Sequence, residues 1–281
     1  MMDAQDSAGW PWRTLTDDSA PAVDLKMDQP HSARIYDYLL GGKDNFPADR
    51  EGAEQVIRAF PTTVSAARQN RAFMLRATRY LAGEMGIRQF LDIGTGIPTS
   101  PNLHEVAQSI APRTRVVYAD NDPIVLIHAR ALMASSPEGR TAYLDADLRD
   151  PDRILDAPEL RDTLDFTQPV ALSLVAILHF IEGDAPYAIV RRLVDALPTG
   201  SYLVLSHTTT DVNPRAQDAA DSYRARGIPF QHRGRGEIER LFDGLTLIEP
   251  GLQIIHRWRA DGTAGDLSDA EVSLYGGVAR K

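Results

Sequence analysis

Short apolar runs alternate with amphipathic segments from residue 87 to the end of the chain. The runs predict strands at 89–93, 115–119, 141–145, 170–178, 202–207, 247–255 and 272–280. Between them, apolar residues at helical spacing predict helices at 102–110, 123–135, 185–197, 214–226 and 236–242. Strands that alternate with helices form a mostly parallel sheet covered by helices on both faces. The pattern therefore predicts an α/β fold for this part of the chain.

The last two predicted strands depart from this alternation. They are joined by the polar segment 256–271, which has no convincing helical pattern. Strands connected without a crossover helix pair as antiparallel neighbours. We therefore expect an antiparallel last strand, in a sheet whose ligands bind at the carboxyl ends of its strands.

A different pattern precedes the sheet. Residues 1–28 are polar and interrupted by prolines, which is typical of a flexible tail, and residues 29–86 have helical patches broken at Gly41 and Gly42. Two adjacent glycines cost roughly 1 kcal/mol each inside a helix, so they predict a turn or hinge. The flanking aromatic and polar residues favour a lid over an organic ligand, although a helix-turn-helix packed on the sheet has the same pattern. We therefore divide the chain into a tail (1–28), a helical cap (29–86) and a ligand-binding domain (87–281).

Composition and charge exclude several classes of function. The chain has 281 residues, 43% of them hydrophobic, and no cysteine, so disulfides, thiolate metal ligands and cysteine nucleophiles are absent. A net charge of -9 disfavours nucleic-acid binding, which normally needs a positive surface. The longest apolar stretch, 169–181, is shorter than the ~20 residues of a membrane-spanning helix, and the amino terminus lacks a secretory pattern. The histidines show no clustered ligand spacing. We predict a cytoplasmic protein without metal, membrane or nucleic-acid partners.

The segment FLDIGTGIPTSPN, residues 90–102, places a Gly-x-Gly turn directly after the first strand of the sheet. It lacks the lysine of a phosphate-binding P-loop, and Thr99 stands where a dinucleotide fingerprint has its third glycine. These departures weaken a dinucleotide site, such as that of a nicotinamide-dependent oxidoreductase, without excluding it. Two alternatives stand beside it, a turn that binds nothing and a site for a ligand without phosphate.

Acidic residues at three successive strand ends favour the second alternative. Asp92 precedes the turn, Asp120 closes the second strand and Asp147 follows the third. A carboxylate accepts hydrogen bonds from ribose hydroxyls, and negative charge beside the turn suits a cation better than a pyrophosphate. Asp145 could take the place of Asp147, since strand ends are uncertain by a few residues. The pattern predicts a cationic nucleoside such as S-adenosylmethionine (SAM).

Two further acids, Asp122 and Asp150, have a different interpretation. Each stands directly before a proline, the usual signature of a helix start. We predict that they cap helices and do not bind the ligand.

Several long segments together resemble a known family. They are PHSARIYDYLLGGKDNFPADREGAEQV, RQNRAFMLRATRYLA, DIGTGIPTSPN, VVYADNDPIVLIHARAL, DADLRDP, ALSLVAILHFI and GLTLIEPGL. The chain resembles the class I, Rossmann-like SAM-dependent methyltransferases. Over roughly residues 29 to 281 it also resembles an actinobacterial family first described as a domain of unknown function and now labelled S-adenosyl methyltransferase-like. The resemblance implies a seven-stranded, mostly parallel sheet with an antiparallel last strand, and SAM as the cofactor.

The resemblance also implies roles for individual residues. Asp92, Gly94 and Gly96 form the turn on the methionine side of SAM, Asp120 binds the ribose, and Asp147 with Leu148 frames the adenine. To these cofactor-binding residues we add Asn121, Gly42 and Arg71. Arg71 could pair with the SAM carboxylate in a bidentate geometry, with an ordinary solvated arginine as the alternative.

Methyl transfer depends mainly on positioning and on the exclusion of water, and it needs a base only if the acceptor loses a proton. His179 and His207 end the fourth and fifth strands at the ligand edge, so both are candidate bases, although a structural role is the usual one for such a histidine. Tyr36 in the cap is a further catalytic candidate, and Asp211 is a weaker one. We predict methyl transfer to an oxygen or nitrogen of a small molecule, with a non-catalytic SAM-binding sensor as the alternative.

Overall fold

The structure is a computed structural model that describes residues 25–132 and 135–281. Most of the predicted tail at 1–28 lies outside these residues. The described strands are β1 (Gln89–Ile93), β2 (Arg115–Asp120), β3 (Arg140–Asp145), β4 (Ala171–Val175), β5 (Tyr202–Thr208), β6 (Thr246–Leu247), β7 (Gln253–Ile254) and β8 (Leu274–Arg280). They form an eight-stranded sheet in the order β3-β2-β1-β4-β5-β8-β6, in which β7 also pairs with β8.

The first five strands run parallel, and β8 is antiparallel to β5, β6 and β7. The predictions of an α/β fold and of an antiparallel last strand are therefore confirmed. The resemblance implied seven strands, and the structure has eight. The difference arises because the single strand predicted at 247–255 is wrong. Gly251 adopts a φ of +80° and its N–H donates to the carbonyl of Ile248, so a turn separates β6 from β7.

The strand predicted at 170–178 is also shorter in the structure. It ends as β4 at Val175, because Ala176 has a φ of +55° and a 3-10 turn follows at Leu178–Phe180. A left-handed residue cannot continue a strand. This early ending lets the chain turn across the carboxyl edge of the sheet.

The helices of the sheet domain are α4 (Leu103–Ile110), α5 (Pro123–Leu132), α6 (Pro151–Asp156), α7 (Pro158–Thr163), α8 (Ala185–Ala196), α9 (Ala216–Arg224), α10 (Arg235–Glu239) and α11 (Asp269–Val272). The cap predicted at Asp150 marks the start of α6, for which the patterns gave no range, and they missed α7 and α11. The predicted caps are confirmed: Asp122 Oδ1 accepts from the N–H of Ile124 at 3.0 Å, and Asp150 Oδ1 accepts from that of Arg153 at 3.2 Å. None of the helices in the described ranges is long and apolar enough to cross a membrane.

The cap contains α1 (Ser32–Leu39), α2 (Pro47–Ala59) and α3 (Thr63–Arg79), which continues as a π-helical turn at Tyr80–Glu84. Helices α1 and α2 pack against α9 in a second apolar cluster, whereas α3 packs into the main core of the sheet through Phe73 and Ala77. The cap therefore rests on the sheet along α3 and is completed by α9, which comes from far along the chain.

The two glycines do form the predicted turn. Gly41 has a φ of +84°, and a Cβ at Gly42 would lie 1.9 Å from Asp37 Oδ1, so neither position accepts a side chain without strain. Asp37 Oδ2 accepts from the N–H of Asp44 at 3.0 Å and from Asn45 Nδ2 at 2.7 Å, which fixes the loop between α1 and α2. That this segment moves as a lid stays a prediction.

Candidate functional site

A cavity of about 380 Å³ lies between the carboxyl ends of the parallel strands and the helices of the cap. Pockets that bind small molecules commonly measure roughly 300–1,000 Å³. Most of the residues proposed from the sequence line this cavity, namely Tyr36, Arg71, Asp92, Gly94, Gly96, Asp120, Asn121, Asp147, Leu148 and His179. Strands and helices that are distant in the sequence thus bring them to one place.

The Gly-x-Gly turn enters the cavity with both glycines in the left-handed region. Gly94 has a φ of +74°, and a Cβ there would meet Ile177 Cγ1 at 2.6 Å, so this glycine is needed for packing. Gly96 has a φ of +68°, and a Cβ there would have no neighbour within 4 Å. The backbone at Gly96 is therefore open to close approach by a ligand.

Asp120 holds this turn in place at the end of β2. Its Oδ2 accepts from the N–H of Gly96 at 2.9 Å, and its Oδ1 accepts from the N–H of Asp122 at 2.9 Å. Each carboxylate oxygen can accept two hydrogen bonds, so both keep an acceptor position. Burial raises the pKa of Asp120, against the effect of these two hydrogen bonds. A ligand hydroxyl that donates to the carboxylate would offset part of the cost of burying its charge.

Asp92 is buried at the end of β1 with 9% of its surface exposed. Burial raises its pKa to about 6, although the nearby hydroxyl of Ser173 and the positive charge of Arg71 act in the opposite direction. A buried carboxylate with a raised pKa is stabilised in its charged form by a nearby cation. Asp92 therefore favours a positively charged ligand.

Asp147 and Asn121 form the edge of the cavity beyond β3 and β2. Asn121 Nδ2 donates to Asp147 Oδ2 at 3.1 Å, while Arg149 donates to the same carboxylate through its backbone N–H at 2.8 Å and its Nη1 at 2.9 Å. Partial burial acts to raise the pKa of Asp147, but these hydrogen bonds outweigh it and the pKa lies below its ordinary value. The alternative residue, Asp145, is exposed and does not line the cavity.

Arg71 extends from α3 to the loop that follows the glycine turn. Its Nη2 donates to the carbonyl oxygens of Thr99 and Pro101. Its Nε is buried and has no hydrogen-bond partner among the described residues. The guanidinium is thus not simply solvated: it anchors the loop and keeps one donor for a ligand. Its pairing with a carboxylate of SAM stays a prediction.

The structure does not bring Gly42 or His207 to the cavity. Gly42 packs against Asp37 in the α1–α2 loop. His207 is fully buried, with its Nδ1 2.8 Å from the carbonyl oxygen of Thr208 and its Nε2 2.8 Å from Arg233 Nη1. Burial, with repulsion by Arg233, lowers the pKa of His207 to about 3. Because both ring nitrogens are engaged, His207 is not available as a base.

His179 and Tyr36 do line the cavity, with different prospects. His179 is 4% exposed, and its Nδ1 has no hydrogen-bond partner among the described residues. Burial, aided by repulsion from His207, His232 and Arg233, holds the pKa of His179 well below its ordinary value, so the ring is neutral at pH 7. Tyr36 Oη donates to the carbonyl of Ala67 at 3.0 Å and accepts from Asn70 Nδ2 at 2.9 Å. Its hydroxyl is therefore used to hold the cap.

The weaker candidate Asp211 lies outside the cavity. It is exposed, and its Oδ2 accepts from the N–H of Arg235 at 2.8 Å, which holds the start of α10. This arrangement gives Asp211 a structural contact and no access to the ligand.

Sequence patterns missed two groups that organise the site. The first is Arg233, which is 1% exposed and donates to the carbonyls of Leu178, Ile181 and Gly183, as well as to His207. Among the described residues it forms no ion pair with a carboxylate. Arg233 holds the segment that carries His179. No local sequence pattern reveals this, because the carbonyls that it binds lie about fifty residues away in the sequence.

The second group is a set of charged side chains that joins the cap to the carboxyl end of β2. Arg34 Nε donates to Asp122 Oδ2 at 3.0 Å, and His31 Nδ1 lies 3.0 Å from the same oxygen. Arg34 Nη1 is also 3.6 Å from Asp49 Oδ2, and its side chain is 3% exposed. Because the N–H of Asp122 binds Asp120, this buried network links α1 and α2 directly to the carboxylate at the end of β2.

No group of three or more histidine, cysteine, aspartate or glutamate residues is placed to hold a metal ion in the part of the chain that the structure describes. The chemistry of the cavity is therefore that of buried carboxylates, an arginine and a neutral imidazole.

Comparison with known proteins identifies related chains. The model of a family described as S-adenosyl methyltransferase matches residues 18–281. A crystal structure of a DUF574 family protein from Streptomyces avermitilis is 54% identical, with a TM-score of 0.90, and the match covers 92% of this chain and 100% of that one. A protein from Thermobifida fusca, provisionally classed as a methyltransferase, is 43% identical with a TM-score of 0.87 over 93% of this chain and 98% of that one.

More distant structures agree in fold. The plantazolicin methyltransferase BamL, crystallised with a triazolic desmethylPZN analogue and S-adenosylhomocysteine, has a TM-score of 0.52 at 12% identity, over 88% of this chain and 95% of that one. This likeness shows the fold alone. A search of the curated proteins found no match.

Proposed function

Since the chain belongs to the S-adenosyl methyltransferase family and is a SAM-dependent methyltransferase, we propose that it transfers the methyl group to an oxygen or nitrogen atom of a small molecule. Family membership selects SAM over the nicotinamide dinucleotide considered from the glycine turn. One observation carries the proposal: the cavity that contains the three strand-end carboxylates continues to the neutral ring of His179 beneath the cap.

The residues present fit SAM in several respects. The open backbone at Gly96 admits close approach, and Asp120 keeps acceptor positions for two ribose hydroxyls. The buried Nε of Arg71 is a donor without a partner, which the carboxylate of an amino acid would satisfy. The buried Asp92 favours a cation. This donor set matches a ligand that has a ribose, a carboxylate and a positive charge.

When bound, SAM supplies an electrophilic methyl group, which a lone pair of the acceptor takes as the carbon–sulfur bond breaks and its electrons remain on sulfur. The protein contributes orientation and the exclusion of water, which together supply several kcal/mol of catalysis. The network of Arg34 and Asp122 fixes the cap over the cavity, and Arg71 fixes the loop beneath it. His179 is the described residue best placed to accept a proton from the acceptor.

A weak base is sufficient for this step. A hydroxyl becomes strongly acidic as its lone pair bonds to the methyl carbon, so for a hydroxyl acceptor even an imidazole whose pKa lies well below 6.5 accepts the proton. The low pKa then favours release of that proton to water. The low basicity that burial gives to His179 therefore does not prevent it from accepting this proton.

Transfer can be tested with SAM that carries a radiolabelled methyl group, incubated with the protein and a cell extract whose small molecules and macromolecules are separated after the reaction. We expect label in an extractable small molecule in the presence of wild-type protein, and less label with Asp120→Ala at a SAM concentration that does not saturate the variant. Label in a macromolecular fraction would contradict the proposal. Tight SAM binding without any labelled product would instead favour a SAM-binding sensor.

A further inference from the structure

The cavity has two chemically different ends. The formal charges that line it, on Asp92, Asp120, Asp147, Arg149 and Arg71, belong to the ends of β1 to β3 and to α3. All of them except Arg149, which pairs with Asp147, are residues proposed to hold SAM. Any second ligand must therefore use the remaining part of the cavity, below α1, α2 and α9.

That remaining part is an apolar lobe, which we define by the lining residues Leu39, Val56, Phe60, Ala219, Tyr223 and Phe230. All of them are buried members of the cluster in which α1 and α2 pack against α9. Phe230 stacks on Tyr223 at a centroid distance of 4.9 Å, and the ring of His179 lies 4.7 Å from that of Phe230. Aromatic walls of this kind favour flat, apolar ligand surfaces.

The polar groups at this lobe are few and uncharged. Burial lowers the pKa of both His179 and His232, which line the cavity, so both rings are neutral at pH 7. Arg233 lies behind them and is committed to backbone carbonyls and His207. In the described ranges, no lysine, arginine, aspartate or glutamate of α2, α9 or the 227–230 segment lines the cavity. A ligand carboxylate or phosphate would thus be buried without a cation, which is strongly unfavourable.

Three buried polar atoms of described residues remain without a protein partner at this end, namely His179 Nδ1, His232 Nδ1 and Thr208 Oγ1. All three residues line the cavity: His179 lies in the 3-10 turn that follows β4, Thr208 ends β5, and His232 lies just before α10. A buried polar atom without a partner is destabilising, so a ligand that forms a hydrogen bond with it gains affinity. The lobe therefore offers hydrogen bonding for one or two polar groups within an otherwise apolar surface.

Resting on the proposed function, we infer that the methyl acceptor is an uncharged aromatic molecule whose hydroxyl or amino group donates a hydrogen bond to His179 in the apolar lobe. The lone pair of that oxygen or nitrogen forms the bond to the methyl carbon. The proton that it loses passes to His179 and then to water. Acceptors that carry a carboxylate or phosphate near the reacting group are excluded by the same surroundings.

The inference can be tested with matched probes in the presence of saturating S-adenosylhomocysteine. 2-Naphthol is neutral at pH 7, and 2-naphthoate has the same rings with a negative charge. Isothermal titration calorimetry should show that 2-naphthol binds at least tenfold more tightly than 2-naphthoate. Equal or tighter binding of 2-naphthoate would overturn the inference.

Two alanine-to-leucine substitutions, one in α9 and one directly after it, test whether 2-naphthol binds in the apolar lobe. Ala219 lines the apolar lobe, whereas Ala225 is exposed directly after the helix. We expect Ala219→Leu to weaken 2-naphthol binding at least tenfold without altering the affinity for S-adenosylhomocysteine, and Ala225→Leu to change neither. Unchanged 2-naphthol binding in Ala219→Leu would place the probe elsewhere and overturn the inference.

The hydrogen bond is tested separately through His179. His179→Phe should weaken 2-naphthol binding at least fivefold, and His179→Gln, which keeps an acceptor, should recover part of the loss. Equal binding by wild type and both variants would refute the role of His179. The wild-type comparison of the two probes decides the inference even where a variant fails to fold. Failure of the wild-type protein to bind S-adenosylhomocysteine would overturn the proposed function, whereas binding of it together with a preference for 2-naphthoate would overturn only the acceptor class.

Discussion

Replacing Asp92 by asparagine should stabilise the ligand-free protein, although it removes a residue proposed to bind SAM. Asp92 is buried at the end of β1, and burial raises its pKa to about 6 from an ordinary value of 3.8. Between these two values the folded state binds more protons than the unfolded state. Stability conferred by the protonated carboxyl is therefore complete below about pH 4 and is lost as the pH rises through about 6.

The size of the effect follows from the shift. A pKa raised by about 2 units corresponds to about 3 kcal/mol of unfolding free energy lost once the carboxyl is ionised at pH 8. At pH 5 only part of the loss is present, about 1.6 kcal/mol from the same relation. Asparagine has no charge to desolvate, so its advantage over aspartate should grow by about 1.4 kcal/mol between pH 5 and pH 8.

Urea unfolding of both proteins at the two pH values measures this difference, because groups common to both cancel. Asp145→Asn, which removes an exposed carboxylate at the end of β3, serves as the control and should change stability by less than about 0.5 kcal/mol. A stability difference between Asp92→Asn and wild type that is the same at both pH values, or a loss of stability at pH 8, would refute the reasoning.

SAM binding should respond in the opposite sense. If the ionised Asp92 attracts the cationic ligand, its ionised fraction falls from about 0.9 at pH 7 to about 0.1 at pH 5, which weakens binding about tenfold. Asp92→Asn should bind SAM more weakly at pH 7 and should not show this dependence. Calorimetric titration at the two pH values measures both effects. If SAM affinity still falls between pH 7 and pH 5 in Asp92→Asn, another group causes the pH dependence.

Three further predictions concern the groups around the cofactor edge. Asp120→Asn should weaken SAM binding by about 1–3 kcal/mol through loss of a charge-assisted acceptor, as measured by calorimetry, and unchanged affinity would contradict the ribose assignment. Gly94→Ala should destabilise the protein by about 1–3 kcal/mol more than Gly86→Ala in urea unfolding. Both glycines have a positive φ, but only Gly94 is crowded by a neighbouring side chain. Arg34→Met should cost about 3–5 kcal/mol by leaving the buried Asp122 without its arginine, and the double variant with Asp122→Asn should recover part of this.

Regular elements with a strong local pattern were predictable from the sequence. The run that forms β1 is buried at every position, and its predicted bounds coincide with the observed strand. The segment 247–255 also contains several apolar residues, yet it forms β6, a turn and β7. Leu252 and Ile255 are buried although neither belongs to a strand. Burial of apolar side chains is what a hydrophobic pattern reports, and it does not specify how the backbone achieves it.

The acidic side of the site was equally accessible to sequence reasoning. Parallel strands deliver their carboxyl ends to one edge, so Asp92, Asp120 and Asp147 were expected to meet, and all three line the cavity. Histidine at a strand end carries no such information, since its side chain can point to the cavity or into the core. The side chain of His179 lines the cavity, whereas that of His207 lies in the core, where it pairs with Arg233. That pairing links distant segments and leaves no local signal.

Arg233 has a consequence for turnover itself. Arginine remains charged under all physiological conditions, and here its charge stands next to imidazoles in a core with no compensating carboxylate among the described residues. The charge of Arg233 therefore disfavours protonation of the neighbouring imidazoles, His179 and His207. If transfer follows the proposed course, each turnover therefore returns its proton to the solvent, and no imidazole beside Arg233 retains it for the next cycle.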